Sequence, residues 1–138
     1  MKICVQGLWH LGSVTAAALS SMGHEVVGLD LDAAALVGLK NGKAPIFEPG
    51  LDALLHTGIE TARLRFIDHP AEIPVDIELL WVTFDTPVND EDVADVEFVI
   101  AQACAALPHL PIGCTVLVSS QLPVGSVRRL EAAAAELC

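Results

Sequence analysis

The chain has 138 residues, a length that suits one domain. Its apolar content of 53% and mean hydropathy of +0.56 are high. Yet no apolar run approaches the ~18 residues a membrane span needs, and a strand and a glycine turn stand where a leader would be. The net charge of −11 argues against nucleic acid and anionic membranes as partners. It also means that any phosphate must be held by local N–H groups and not by a basic field.

Residues 2–6 are a short apolar run and predict the first strand, and Gly7-Leu8-Trp9-His10-Leu11-Gly12 follows. A small-residue helix is expected over 11–22, and a second strand over 25–29 ends in Asp30. Strand, glycine turn, helix, strand and acid in this order form the dinucleotide-binding plan. Gly7 permits the tight turn and Gly12 lets the helix lie close to the sheet. The helix start offers free N–H groups to a pyrophosphate. Asp30, eighteen residues past Gly12, is spaced to accept hydrogen bonds from a ribose; its bland alternative is a cap for the next helix. Trp9 breaks the G-x-G-x-x-G pattern at its middle glycine, the residue that normally lets backbone approach the phosphates. Its indole either faces the ligand, plugs the turn, or packs under another domain.

A helix is expected over about 32–40, then an irregular Gly/Pro loop over 41–50, a short helix from Leu51 and a strand at 64–66. Residues 77–83 predict a fourth strand with Trp81 in the core, 93–106 a helix, 114–119 a fifth strand, and the last helix starts near Val124. The alternation predicts an α/β domain: a doubly wound parallel sheet, Rossmann-like, in strand order 3-2-1-4-5. Asp90, Glu91, Asp92, Asp95 and Glu97 read as capping and dipole compensation for the 93–106 helix, not as a metal site. The cysteines at 4, 104, 114 and 138 have neither C-x-x-C nor metal spacing, and read as reduced thiols of a cytoplasmic protein. The uncapped alanine-rich end suggests a piece of a longer enzyme. The oligomeric state is left open, a homo-oligomer included.

Three further stretches narrow the class. Gly42-Lys43-Ala44-Pro45-Ile46-Phe47-Glu48-Pro49-Gly50-Leu51 resembles the E-P-G-L loop of the UDP-glucose/GDP-mannose dehydrogenase family, the nucleotide-sugar 6-dehydrogenases. Asp85-Thr86-Pro87 resembles that family's P-T-P loop, and Ser119-Ser120-Gln121-Leu122-Pro123-Val124-Gly125-Ser126 its S-T-V-P-x-G-T loop. The likeness covers essentially the whole chain. It implies NAD as cofactor and, for the whole enzyme, oxidation of the C6 hydroxyl of a nucleotide sugar to a carboxylate. Carried over by position, Gly7 and Gly12 match the pyrophosphate turn, and His10 and Leu11 stand where backbone N–H meets phosphate. Asp30 matches the ribose acid, Thr86 the loop threonine beside the cofactor, and Gln121 a threonine near the nicotinamide. Trp9, Gln121 and Ala35 (where many members carry a lysine) depart from the pattern. The family's catalytic cysteine belongs to later domains. The rival readings are a β-hydroxyacid dehydrogenase domain, which gives no reason for the E-P-G-L loop, and a non-catalytic nucleotide-sensing module, which Trp9 favours.

Overall fold

The computed structural model describes residues 1–137, so Cys138 lies outside the described residues. The elements alternate as expected: β1 (Lys2–Gln6), α1 (His10–Ser21), β2 (Glu25–Leu29), α2 (Ala33–Lys40), α3 (Leu51–Glu60), β3 (Leu64–Ile67), β4 (Leu79–Val82), α4 (Val96–Ala106), β5 (Thr115–Val118) and α5 (Ser126–Leu137). The sheet order is β3-β2-β1-β4-β5, and every pairing is parallel.

The apolar runs of β1 and β2 are explained by burial on both faces, while the edge strand β5 stays partly exposed. Ile3 and Val5 of β1 turn toward α1, α2 and α3, where Ala16, Ala17, Leu36, Leu39 and Leu55 are fully buried. Cys4 turns the other way and joins Leu80, Val82, Val99 and Leu130 against α4 and α5. The alanines of α1 serve this packing, because a side chain no larger than a methyl lets a helix approach the sheet closely.

Several details differ from the sequence expectation: the strands expected over 77–83 and 114–119 are shorter, Leu79–Val82 and Thr115–Val118. The helix expected from residue 93 starts at Val96, because Asp95 accepts the Phe98 N–H at 2.9 Å and caps it. Upstream, Asn89 Oδ1 accepts the N–H groups of Glu91 and Val93 and turns the acidic segment into a loop. Capping therefore accounts for Asp95, and Glu97 pairs with Arg129 through two hydrogen bonds of 2.7 Å. The helix from Leu51 is longer than expected, reaching Glu60. Trp81, expected in the core, is only half-buried, and its indole N–H donates to Ser119 Oγ at 2.5 Å. A polar handle of this kind keeps a tryptophan at a partly wet boundary.

β1 is the strand from which the chain departs in both directions, to β2 on one side and β4 on the other. In doubly wound sheets this switch point opens a crevice beyond the C-terminal strand ends, where ligands bind. The loops that follow β1, β2, β4 and β5 therefore share one edge of the molecule.

Candidate functional site

The site begins at the glycine turn. Gly7 has φ +91°, in the left-handed region, and its missing side chain leaves room for Phe84, whose ring lies 2.7 Å from where a Cβ would stand. The approach at Gly12 is tighter: a Cβ there would lie 1.8 Å from the Gly7 carbonyl oxygen and 2.8 Å from Thr83 Oγ1. Only glycine lets α1 start directly against the turn. Thr83, fully buried, holds the turn from below, its hydroxyl donating to the Gly7 carbonyl at 2.8 Å and within 3.0 Å of the Gln6 carbonyl.

The start of α1 is bare. Its N-cap is Trp9, which supplies no side-chain hydrogen bond, and the first turn carries no acid. A helix leaves its first N–H groups without partners inside the helix. Here no capping side chain occupies them, and the helix dipole adds its positive end. The arrangement favours an anion such as a pyrophosphate.

Trp9 does not plug the turn. Its residue surface is 53% exposed, and the space beneath the turn is filled by Leu8 and Phe84. Its φ of −77° lies outside the left-handed region, and its ψ of −138° is neither helical nor extended. The exposed indole stands where a ligand would approach the turn from outside.

Asp30 is half-buried, and both of its oxygens are engaged. Oδ2 accepts the Leu8 N–H at 2.9 Å, and Oδ1 accepts the Asp32 N–H at 3.0 Å. The carboxylate ties the end of β2 to the glycine turn. The helix-cap alternative is overturned for Asp30, because Asp32 is the residue that caps α2, accepting the Ala34 N–H. A carboxylate has about four lone-pair sites, so Asp30 keeps capacity for ribose hydroxyls.

Two more loops complete the edge. Thr86 Oγ1 donates to the Gln121 carbonyl at 2.9 Å and joins the loop after β4 to the loop after β5. The Gln121 side chain contributes nothing to this bond. On the other side of α1, His10 Nε2 meets Glu48 Oε1 at 2.6 Å, so the E-P-G-L loop is fastened to the helix start. The imidazole and carboxylate are 46% and 41% exposed.

The eight candidates therefore fall into two groups. Gly7, Trp9, His10, Leu11, Gly12 and Asp30 share the end of β1 and β2; Thr86 and Gln121 share the end of β4 and β5. Sequence reasoning missed Thr83 and Phe84. A hydroxyl closing an apolar run, just before Asp85-Thr86-Pro87, was the available signal for Thr83.

Cys4 and Cys114 lie away from this edge. Cys4 is fully buried, and burial, with Cys114 adding to it, pushes its thiol up to about 12. Cys114 precedes β5, at the strand end opposite the glycine turn, and burial raises its thiol as well. Among the described residues no three His, Cys, Asp or Glu side chains are grouped to hold a metal, and no helix is long and apolar enough to cross a membrane.

A parallel sheet with an uncapped helix over a glycine turn and an acid at the end of β2 defines a dinucleotide-binding domain. The comparisons with known proteins sharpen that class. Residues 1–137 match the model of the UDP-glucose/GDP-mannose dehydrogenase family, NAD binding domain, and the chain belongs to that family. It is 35% identical over 131 residues to a UDP-glucose 6-dehydrogenase of Pseudomonas aeruginosa, covering 95% of this chain and 29% of that protein. It is 38% identical over 133 residues to a GDP-mannose 6-dehydrogenase of Azotobacter vinelandii, covering 94% of this chain and 30% of that one. A solved ternary complex of GDP-mannose dehydrogenase from Pseudomonas aeruginosa superposes with a TM-score of 0.85 at 28% identity, over 98% of this chain and 33% of the other. The chain thus spans under a third of the length of the curated relatives it matches.

Proposed function

We propose that the chain binds NAD along the C-terminal edge of the sheet and serves as the cofactor domain of a longer nucleotide-sugar 6-dehydrogenase. The observation that carries this reading is the bare start of α1 seated on Gly7 through Gly12, where a Cβ would lie 1.8 Å from the Gly7 oxygen. The N–H groups of His10 and Leu11 hold the pyrophosphate, Asp30 accepts from the adenosine ribose, and the Thr86–Gln121 pair borders the nicotinamide end. When bound, NAD supplies a ring carbon that accepts hydride. The chain's own part is to orient the cofactor and to hold the loops after β4 and β5 together beside it.

In the whole enzyme the substrate is a nucleotide sugar of the UDP-glucose or GDP-mannose type. The second oxidation step requires a reachable, activated thiolate. Cys4 is buried and hard to ionise, Cys104 of α4 packs against the core and Cys114 is at the far strand end, and we assign the nucleophile and the sugar pocket to other parts of the enzyme. Unpaired thiols at Cys4, Cys104 and Cys114 suit a reducing compartment, and we assign the protein to the cytoplasm, supplying uronic-acid nucleotides for polysaccharide synthesis. A non-catalytic nucleotide-sensing module is the second reading, favoured by the exposed Trp9 beside the turn.

Calorimetric titration of the chain with NAD and NADP under identical salt tests the proposal. Asp30 with Asp32 beside it, and no Lys or Arg between residues 3 and 39, should repel a 2′-phosphate. Tighter NAD binding is expected. Equal or tighter NADP binding overturns the role given to Asp30, and no binding of either overturns the cofactor reading.

A further inference from the structure

The loops that border the glycine turn are poor in cations. No Lys or Arg occurs between residues 3 and 39 or between 66 and 127, so the loops after β1, β2, β4 and β5 contain none. The same loops carry Asp30, Asp32, Asp85 and the acids of 90–95, and Glu48 stands beside the first residue of α1. An anionic pyrophosphate brought to this turn meets carboxylates nearby and the imidazole of His10, the first residue of α1.

We propose that His10 and Glu48 form a proton-linked latch, in which NAD binding draws a proton onto His10 and fastens the 41–50 loop against the start of α1. The proposal rests on the dinucleotide reading above and adds a residue that positions the cofactor without reacting. Glu48 Oε1 lies 2.6 Å from His10 Nε2, in range for a charge-assisted hydrogen bond once the ring carries both protons. Both partners sit at a hollow of about 260 Å³ whose other walls, Val14, Pro49, Leu51 and Leu54, are apolar and offer the ring no competing charge. An unprotonated ring leaves the Glu48 charge uncompensated beside the pyrophosphate. A protonated ring cancels it and adds to the positive end of the α1 dipole.

The surrounding charged groups are otherwise occupied. Asp52 of α3 accepts the Ala44 N–H, and Asp30 is bound to Leu8 and Asp32. Lys43 is an exposed lysine of the same loop. His56 of α3 packs against Gly42, with Nδ1 2.6 Å from where a Cβ would be. It is the other imidazole near this loop, and it supplies the control.

The test is calorimetry of the 138-residue chain with NAD from pH 5.5 to 8.5, in two buffers of different ionisation enthalpy. Proton uptake on binding is expected, with affinity falling about twofold to fivefold as pH rises, the scale of one partly exposed charge contact. His10→Gln should bind as the wild type does at high pH and show neither uptake nor slope. Glu48→Gln should move the fall to lower pH, and His56→Gln should leave the profile unchanged. Circular dichroism confirms that each variant is folded. Binding without proton uptake, or the same slope in His10→Gln, overturns the latch and leaves the NAD reading standing. No NAD binding by the wild type at any pH overturns the NAD reading and the latch with it.

Discussion

Replacing Gly12 by alanine sets two effects of opposite sign against each other. Helix propensity favours alanine over glycine by about 1 kcal/mol in a helix interior. The structure opposes it, because the new Cβ would lie 1.8 Å from the Gly7 carbonyl oxygen, where ordinary contact starts at 3.4 Å. The obstructing atom is backbone and cannot rotate away. Either α1 lifts off the sheet or the turn opens, and an overpacked contact of this kind costs about 1–3 kcal/mol. Opening the turn also breaks the Thr83 hydroxyl bond to the Gly7 carbonyl, worth about 0.5–1.5 kcal/mol. The sum is a loss of about 2 kcal/mol, or a Tm lower by about 6 °C for a chain of this size. Urea unfolding at pH 7 measures the loss, and NAD titration of the folded variant should show weakened binding, since the displaced helix start no longer meets the pyrophosphate. A Gly12→Ala chain as stable as the parent, or more stable, refutes the close-approach argument and leaves only propensity at work.

Trp9→Gly should leave stability nearly unchanged, since the residue is 53% exposed and glycine is an acceptable N-cap. It should tighten NAD binding about fivefold, roughly 1 kcal/mol, by reopening backbone approach to the pyrophosphate; unchanged affinity by calorimetry means the indole is accommodated. The chain alone should produce no NADH, read at 340 nm, from UDP-glucose, UDP-N-acetylmannosamine or GDP-mannose. Sustained turnover that a single Cys→Ser change abolishes would sink the assignment of the chemistry to other domains. The Cys4 thiol is raised from 9.0 to about 12 in the fold, so its contribution to stability is complete below pH 9 and fades as pH climbs toward 12. Urea midpoints at pH 7 and 10 should therefore drop further for the wild type than for Cys4→Ala; parallel drops would remove Cys4 as the cause.

The strand order, the two-sided burial of the central strands β1 and β2 and the position of the glycine turn were legible in the sequence, because each rests on a local pattern. Apolar runs of strand length, a small-residue helix and Gly/Pro punctuation carry their meaning within a few neighbours. The family resemblance came through the same way, on short loops whose backbone demands are strict. Gly12 was readable because no other residue tolerates that approach. What the sequence left open depends on contacts between distant segments. Whether Trp9 plugged the turn was decided by Phe84, which already fills that space from the β4 loop. Whether Asp30 capped a helix or braced the turn was decided by the 2.9 Å bond to the Leu8 N–H, across 22 positions of chain. The His10–Glu48 bond spans 38 positions and joins two motifs that the sequence presents as separate loops. Periodicity constrains which way a residue faces within its own element. Only the packing of one element on another sets which side chain it meets, and at this edge those meetings define the charge an incoming dinucleotide encounters.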